Sequence, residues 1–161
     1  MQADALPAGH AEAAGSDPPA VARFGLALAG GPSEVREALG AIAGWLGAEG
    51  LGTEDCGRVE LVLAEALNNI VEHALAGQPG CGIDVMLARF PHWIDCEVRD
   101  GGLPMPSGQL PQGRAPDLPT RVRDLPEGGF GWFLIRELAA ELRYTRQGGI
   151  NHLAFRIGLA G

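Results

Sequence analysis

The chain has 161 residues, 46% of them hydrophobic, which is the size and composition of one globular domain with a real core. Its net charge of -8 disfavours a phosphate backbone as direct partner, and no window approaches the roughly 18 uninterrupted apolar residues of a membrane span, so neither nucleic acid nor membrane is expected as a partner. All twelve basic residues are arginine, and a chain without lysine has no Walker A lysine, no strand lysine of a eukaryotic-type protein kinase and no amine for Schiff-base catalysis.

The opening MQADALPAGHAEAAGSDPPA is rich in Ala, Pro and Gly but has neither a basic start nor an apolar block. It reads as a flexible tail over 1–20 rather than a secretion signal, with one domain over 21–161. Ala22 to Ala29 is expected as a first strand. A helix follows, opening near Pro32 with Ser33 or Gly31 near its cap and running towards Glu49. Thr53 then precedes Glu54 and Asp55, acids suited to a helix N-terminus, and this second helix is expected to reach about Ala76 before Gly77 to Gly82 ends it.

Two alternating runs, IDVMLARF and WIDCEVRD, read as a hairpin of half-buried strands, with Ile83, Val85 and Leu87 on one face and Ile94, Cys96 and Val98 on another. From Leu103 to Glu127 the periodicity vanishes and six of the twelve prolines gather, which predicts a long functional loop or lid. GWFLIRELAAEL then has helical spacing, and ELRYTRQ, a Gly148–Gly149 turn and INHLAFRIGL close the chain as two strands, with Leu153, Phe155 and Ile157 alternating inward. These elements make an α+β two-layer sandwich with helices on one face of a sheet. Cys56, Cys81 and Cys96 are too few and too scattered for a disulfide framework or a zinc site, so buried thiols in a reducing, cytoplasmic compartment are expected.

Three stretches carry chemistry. In LAEALNNIVEH, Leu63, Leu67, Ile70 and Ala74 form the apolar stripe of an amphipathic helix, while Glu65, Asn69 and His73 stack along another line. Asn68 and Asn69 lower helix propensity mid-helix and have no basic partner at helical spacing, which is unusual for a merely solvated face. In VRDGGLP, Asp100 ends a strand before Gly101 and Gly102. In EGGFGWFLI, Gly128, Gly129 and Gly131 open a helix, where backbone amides and the helix dipole favour an anion.

The order of these stretches resembles the N box, first glycine box and second glycine box of the GHKL ATPases, the group of DNA gyrase and the histidine kinases. EALNNIVEHA and GGFGWFLIRELAAELRY look most like the anti-sigma-factor serine/threonine kinases of bacterial partner-switching systems. The resemblance covers roughly residues 20 to 160. It implies the GHKL ATP-binding fold with a mixed, mostly antiparallel sheet, and ATP and Mg2+ as cofactors. Glu65 is implied as general base for a serine or threonine hydroxyl, Asn69 as magnesium ligand, Asp100 as acceptor of the adenine amino group and Gly102 as a point of close approach to the base. Gly129 and Gly131 are implied to offer amides to the phosphates, so backbone donors replace lysine. The implied partners are a small anti-sigma-factor antagonist protein, a sigma factor and a second copy of the chain in a homodimer.

The sequence departs from the wider group at Pro104, which stands where the first glycine box has its second glycine. Asn68 has no assigned role, His73 extends the polar stripe as a lone histidine, and Arg114, Arg121 and Arg123 are solvated lid residues unless they reach phosphates or a partner. Two other activities remain compatible with the same residues: a nucleotide-gated binding module without phosphate transfer, and a detached histidine-kinase-like ATPase domain.

Overall fold

The computed structural model describes residues 17–113 and 130–160. Of the expected lid only 103–113 falls within this range; Gly128, Gly129, Arg114, Arg121 and Arg123 lie outside it, as does most of the expected tail. The elements in chain order are β1 (Ala22–Ala29), α1 (Pro32–Ala48), α2 (Thr53–Asn69), a π turn (Ile70–Ala74), β2 (Gly82–Arg89), β3 (Trp93–Asp100), a short 3-10 turn (Pro106–Gly108), α3 (Phe130–Leu138), β4 (Ala140–Gln147) and β5 (Ile150–Gly158).

The five strands form one sheet in the order β1-β2-β3-β5-β4. Every ladder among the described residues is antiparallel, so no parallel pair accompanies the mostly antiparallel arrangement expected. Register explains the core: Val85 faces Val98 and Leu87 faces Cys96 across β2 and β3, and Cys96 faces Phe155 and Val98 faces Leu153 across β3 and β5. The two hairpin strands therefore bury Ile83, Val85, Leu87, Ile94, Cys96 and Val98 on the same side of the sheet. This corrects the expectation of two different faces, because directly opposed residues of an antiparallel pair point to one side.

α1 buries Val35, Ala38, Ile42 and Leu46 at helical spacing, with Pro32 in its first turn and extended Gly31 at its cap. Phe24 of β1 stacks on Trp45 of α1 at 5.4 Å between ring centres. α2 lies between α1 and α3 and buries Val59, Val62, Leu63, Ala66 and Leu67. Its first-turn acid Asp55 is buried and accepts the Ala160 backbone N–H at 3.0 Å, while Arg58 donates to the Gly158 carbonyl at 2.9 Å. The end of β5 is thus fastened to the start of α2. The opposite face of the sheet carries charged pairs such as Arg156 with Asp95 (2.7 Å) and Arg99 with Glu97 (3.0 Å). Asp17, at the start of the described chain, reaches Arg156 at 2.9 Å.

The last helix is shorter than its spacing predicts. α3 stops at Leu138, and Ala140 to Leu142 already belong to β4. The apolar spacing of Leu138 and Leu142 is helical, and both side chains do pack on the core. A register irregularity between Ala140 and Arg143, with Glu141 in the left-handed region (φ 52), brings Leu142 there from a strand instead. All three thiols are free; Cys96 is fully buried and burial pushes its pKa up, whereas Cys56 and Cys81 are half-buried. No helix among the described residues is long and apolar enough to cross a membrane.

Candidate functional site

The regular ladder of α2 ends at Asn69, and the π turn that follows is closed by the Leu75 N–H on the Ile70 carbonyl at 2.9 Å. Single π turns within helices recur at functional sites because the extra residue rotates the side chains beyond it. Here Asn69, Ile70, His73 and Ala74 line a cavity of about 180 Å³. The Ala74 carbonyl at the end of the turn accepts the Leu103 N–H at 2.7 Å, knitting the helix end to the chain that leaves β3. A Cβ on Gly102 would run into that carbonyl, 2.6 Å from its carbon, so only glycine allows the two backbones to meet. Gly102 thus meets the π turn closely in this structure.

Asp100 ends β3 and is buried, 5% exposed. Its Oδ1 accepts the Gly102 N–H and the Asn151 side-chain amide, each at 2.9 Å. Both bonds fall on one oxygen, so Oδ2 keeps its acceptor capacity among the described residues, and Asp100 is one of the residues that line the cavity. Asn151 also donates to the Leu103 carbonyl at 2.8 Å and accepts from the Tyr144 hydroxyl at 2.7 Å. Asn151 and Tyr144 were not singled out in the sequence. A signal was present for the first: Asn151 occupies the next inward position before Leu153, Phe155 and Ile157, and a polar residue at a core-facing strand position needs a reason.

At the other end of the cavity the polar groups lack such partners. The Asn69 side-chain nitrogen is buried without a hydrogen bond among the described residues. Gly131, in the first turn of α3, faces it: a Cβ there would lie 3.6 Å from the Asn69 nitrogen, and would collide with the Glu65 carboxylate, 3.4 Å from its Cδ. The structure thus gathers Glu65, Asn69 and Gly131 in one group and Asp100 and Gly102 in another, with Asn69 and Asp100 both lining the cavity. Asn68 is exposed, and His73 is exposed at the cavity wall.

The chain that leaves β3 forms a wall of this cavity. Pro104, Met105, Pro106 and Pro111 line it, and Arg136 of α3 donates to the carbonyls of Pro111 (2.7 Å) and Leu110 (3.3 Å). Pro104 supplies apolar surface where a second glycine would have left a gap. Among the described residues no three His, Cys, Asp or Glu side chains cluster as a metal cage. A divalent cation that keeps water and phosphate oxygens needs only one or two protein ligands. The orphaned amide of Asn69 fits that demand, since a half-turn about its terminal bond exchanges an unpaired donor for an unpaired oxygen.

Comparison with known proteins bears on the family and the fold. The family model of the histidine kinase-like ATPase domain matches residues 28–157. The serine/threonine-protein kinase BtrW of Bordetella bronchiseptica is 33% identical over 89 residues, covering 55% of this chain and 61% of BtrW. The serine-protein kinase RsbW of Oceanobacillus iheyensis is 28% identical over 102 residues, covering 63% of this chain and 65% of RsbW. The chain therefore spans a little under two thirds of the length of these curated relatives. Among solved structures, the RsbU and RsbW domains of a Mycobacterium tuberculosis protein share the fold with a TM-score of 0.55 at 16% identity, over 86% of this chain and 32% of that one.

Proposed function

The chain belongs to the histidine kinase-like ATPase domain family, and from that membership we propose that it is a magnesium-dependent serine/threonine kinase that phosphorylates a small anti-sigma-factor antagonist and sequesters a sigma factor when the antagonist is unavailable. The observation that carries the reading is one cavity lined by both Asp100, whose Oδ2 accepts no hydrogen bond among the described residues, and Asn69, whose side-chain nitrogen has no partner among them and lies near the Glu65 carboxylate across Gly131. A nucleotide matches that polarity, with an amino group on its base and oxygens on its phosphates. The two similar kinases supply the acceptor class, and homodimerisation is part of the same proposal.

Each residue has a duty set by its chemistry. Asp100 accepts a hydrogen bond from the adenine amino group. The Asn69 amide oxygen would hold magnesium, and the backbone amides of Gly129 and Gly131 would meet the phosphates. Bound magnesium would supply the positive charge that offsets the phosphate oxygens during transfer. Glu65 takes the proton from the acceptor hydroxyl as its oxygen attacks the γ-phosphorus, and the Oγ–P bond forms as the bond to the β-phosphate oxygen breaks.

The test is incubation of the protein with magnesium ATP and its small antagonist protein, with acid treatment of the product. Acid-stable phosphate on the antagonist is expected. ATP binding without transfer would replace the kinase by a nucleotide-gated binding module, and acid-labile phosphate would point to a histidine acceptor. Absence of any thermal shift with ATP or ADP would remove the nucleotide reading altogether.

A further inference from the structure

The strand register places a closed polar cluster behind Asp100. Asn151 lies directly opposite Asp100 across β3 and β5, and Arg146 lies opposite Asn151 across β4 and β5. Tyr144, two residues from Arg146, points to the same side. We infer that Tyr144, Asn151 and Arg146 are positioning residues that determine base specificity: by fixing the Asp100 carboxylate they make this end of the cavity an acceptor, able to receive an exocyclic amino group and unable to receive a carbonyl. The inference rests on the nucleotide reading of the cavity.

A primary amide has two N–H donors and two acceptor lone pairs. Asn151 is 4% exposed and uses all four. Its nitrogen donates to Asp100 Oδ1 and to the Leu103 carbonyl, and its oxygen accepts from the Tyr144 hydroxyl and from Arg146. Reversal of the amide would set its oxygen against a carboxylate and a carbonyl, and its N–H groups against a guanidinium. The orientation is therefore fixed, and with it the donor that occupies Asp100 Oδ1. The single proton of the Tyr144 hydroxyl is spent on Asn151, while its oxygen accepts the Met105 N–H at 3.0 Å. No proton of Tyr144 or of the Asn151 amide is left for the cavity, and Oδ2 of Asp100, which lines it, accepts no hydrogen bond among the described residues.

The same cluster holds the first turn of the lid. Arg146 donates to the Gly102 carbonyl at 2.9 Å, Asn151 to the Leu103 carbonyl, and Tyr144 accepts from Met105. Recognition of the base and placement of the cavity wall are thus set by one set of bonds.

The experiment compares ADP and GDP affinity by calorimetry in the full chain, for wild type, Tyr144→Phe and Arg146→Gln, with unliganded melting as the check of folding. Wild type is expected to prefer ADP. Each variant is expected to lose roughly fivefold of that preference, mainly through weaker ADP binding, as for one removed hydrogen bond. In Tyr144→Phe, hydrogen exchange at the Met105 amide is expected to rise without ligand. Should Tyr144→Phe fail to fold, Arg146→Gln decides. Folded variants that keep the wild-type ADP to GDP ratio overturn the inference while leaving the nucleotide site standing, as does a wild type that binds ADP and GDP equally. A wild type that binds neither overturns both.

Discussion

The two ends of the cavity treat their polar groups in opposite ways. Where β3, β4 and β5 meet, Asp100 Oδ1, Asn151, Tyr144 and Arg146 bond to one another and the adjoining backbone, so that Asp100 Oδ2 is the one carboxylate oxygen of the cluster without a hydrogen bond among the described residues. Where α2 meets α3, the Asn69 side-chain nitrogen is buried without a hydrogen bond, and Glu65 lies against Gly131 without an ion pair, among the described residues. A saturated network rigidifies what it surrounds, whereas an orphaned buried donor is a standing cost that a ligand can remove. In the proposed function the first end recognises the base and the second holds the phosphates and reacts.

Substitutions at the two ends should therefore separate function from stability. The largest effect is expected at Glu65: Glu65→Ala lowers phosphoryl transfer by roughly 10²- to 10⁴-fold, the usual contribution of general acid–base catalysis, while ATP affinity stays near the wild-type value. Timed transfer to the antagonist alongside an ATP titration measures both, and transfer at the wild-type rate would place the base elsewhere. At the saturated end the loss should fall on folding. Asn151→Ala is expected to destabilise the unliganded protein by about 3 kcal/mol, because several buried partners are left unpaired. Denaturant unfolding without nucleotide reads it directly, and a wild-type midpoint would mean that the network contributes little.

The two glycines sharpen the contrast. Gly102→Ala drives a methyl group into the backbone of the π turn and should cost about 1–3 kcal/mol of stability, as overpacking does. Gly131→Ala meets only the end of the Glu65 side chain, which swings aside, so the melting temperature should hardly move while transfer falls with the displaced carboxylate. Equal thermal shifts for both variants would break the distinction. The smallest effect is expected for Asn69→Ala without ligand, within about 0.5 kcal/mol of wild type, since its side-chain nitrogen makes no hydrogen bond among the described residues. The same variant should lose magnesium-dependent ATP affinity, and a titration with and without magnesium would show whether it does.

Most elements were legible because their signal is local. The strand over Ala22–Ala29, the helix from Pro32, the hairpin around Pro91 and the inward alternation of Leu153, Phe155 and Ile157 all follow from periodicity and turn residues within a few positions. The reading slipped at Ala140 to Leu142, where helical spacing and strand pairing both deliver Leu142 to the core and only the partner strand β5 decides between them. The π turn was equally hidden, since Ile70–Ala74 has ordinary helical composition and its widened turn is fixed by the docking of Leu103 on Ala74.

What the sequence by itself determined is the cast and its order: a helix carrying Glu65 and Asn69, a strand ending in Asp100, an irregular proline-rich stretch, a glycine-led helix, and no lysine anywhere in the chain. The tertiary structure decided which polar groups are already satisfied and which still lack a partner. That depends on register between strands distant in sequence, Asp100 opposite Asn151 and Asn151 opposite Arg146, and on the meeting of two helices at Gly131. Hydrogen bonding is a property of paired atoms at about 3 Å, so no single stretch of chain contains it.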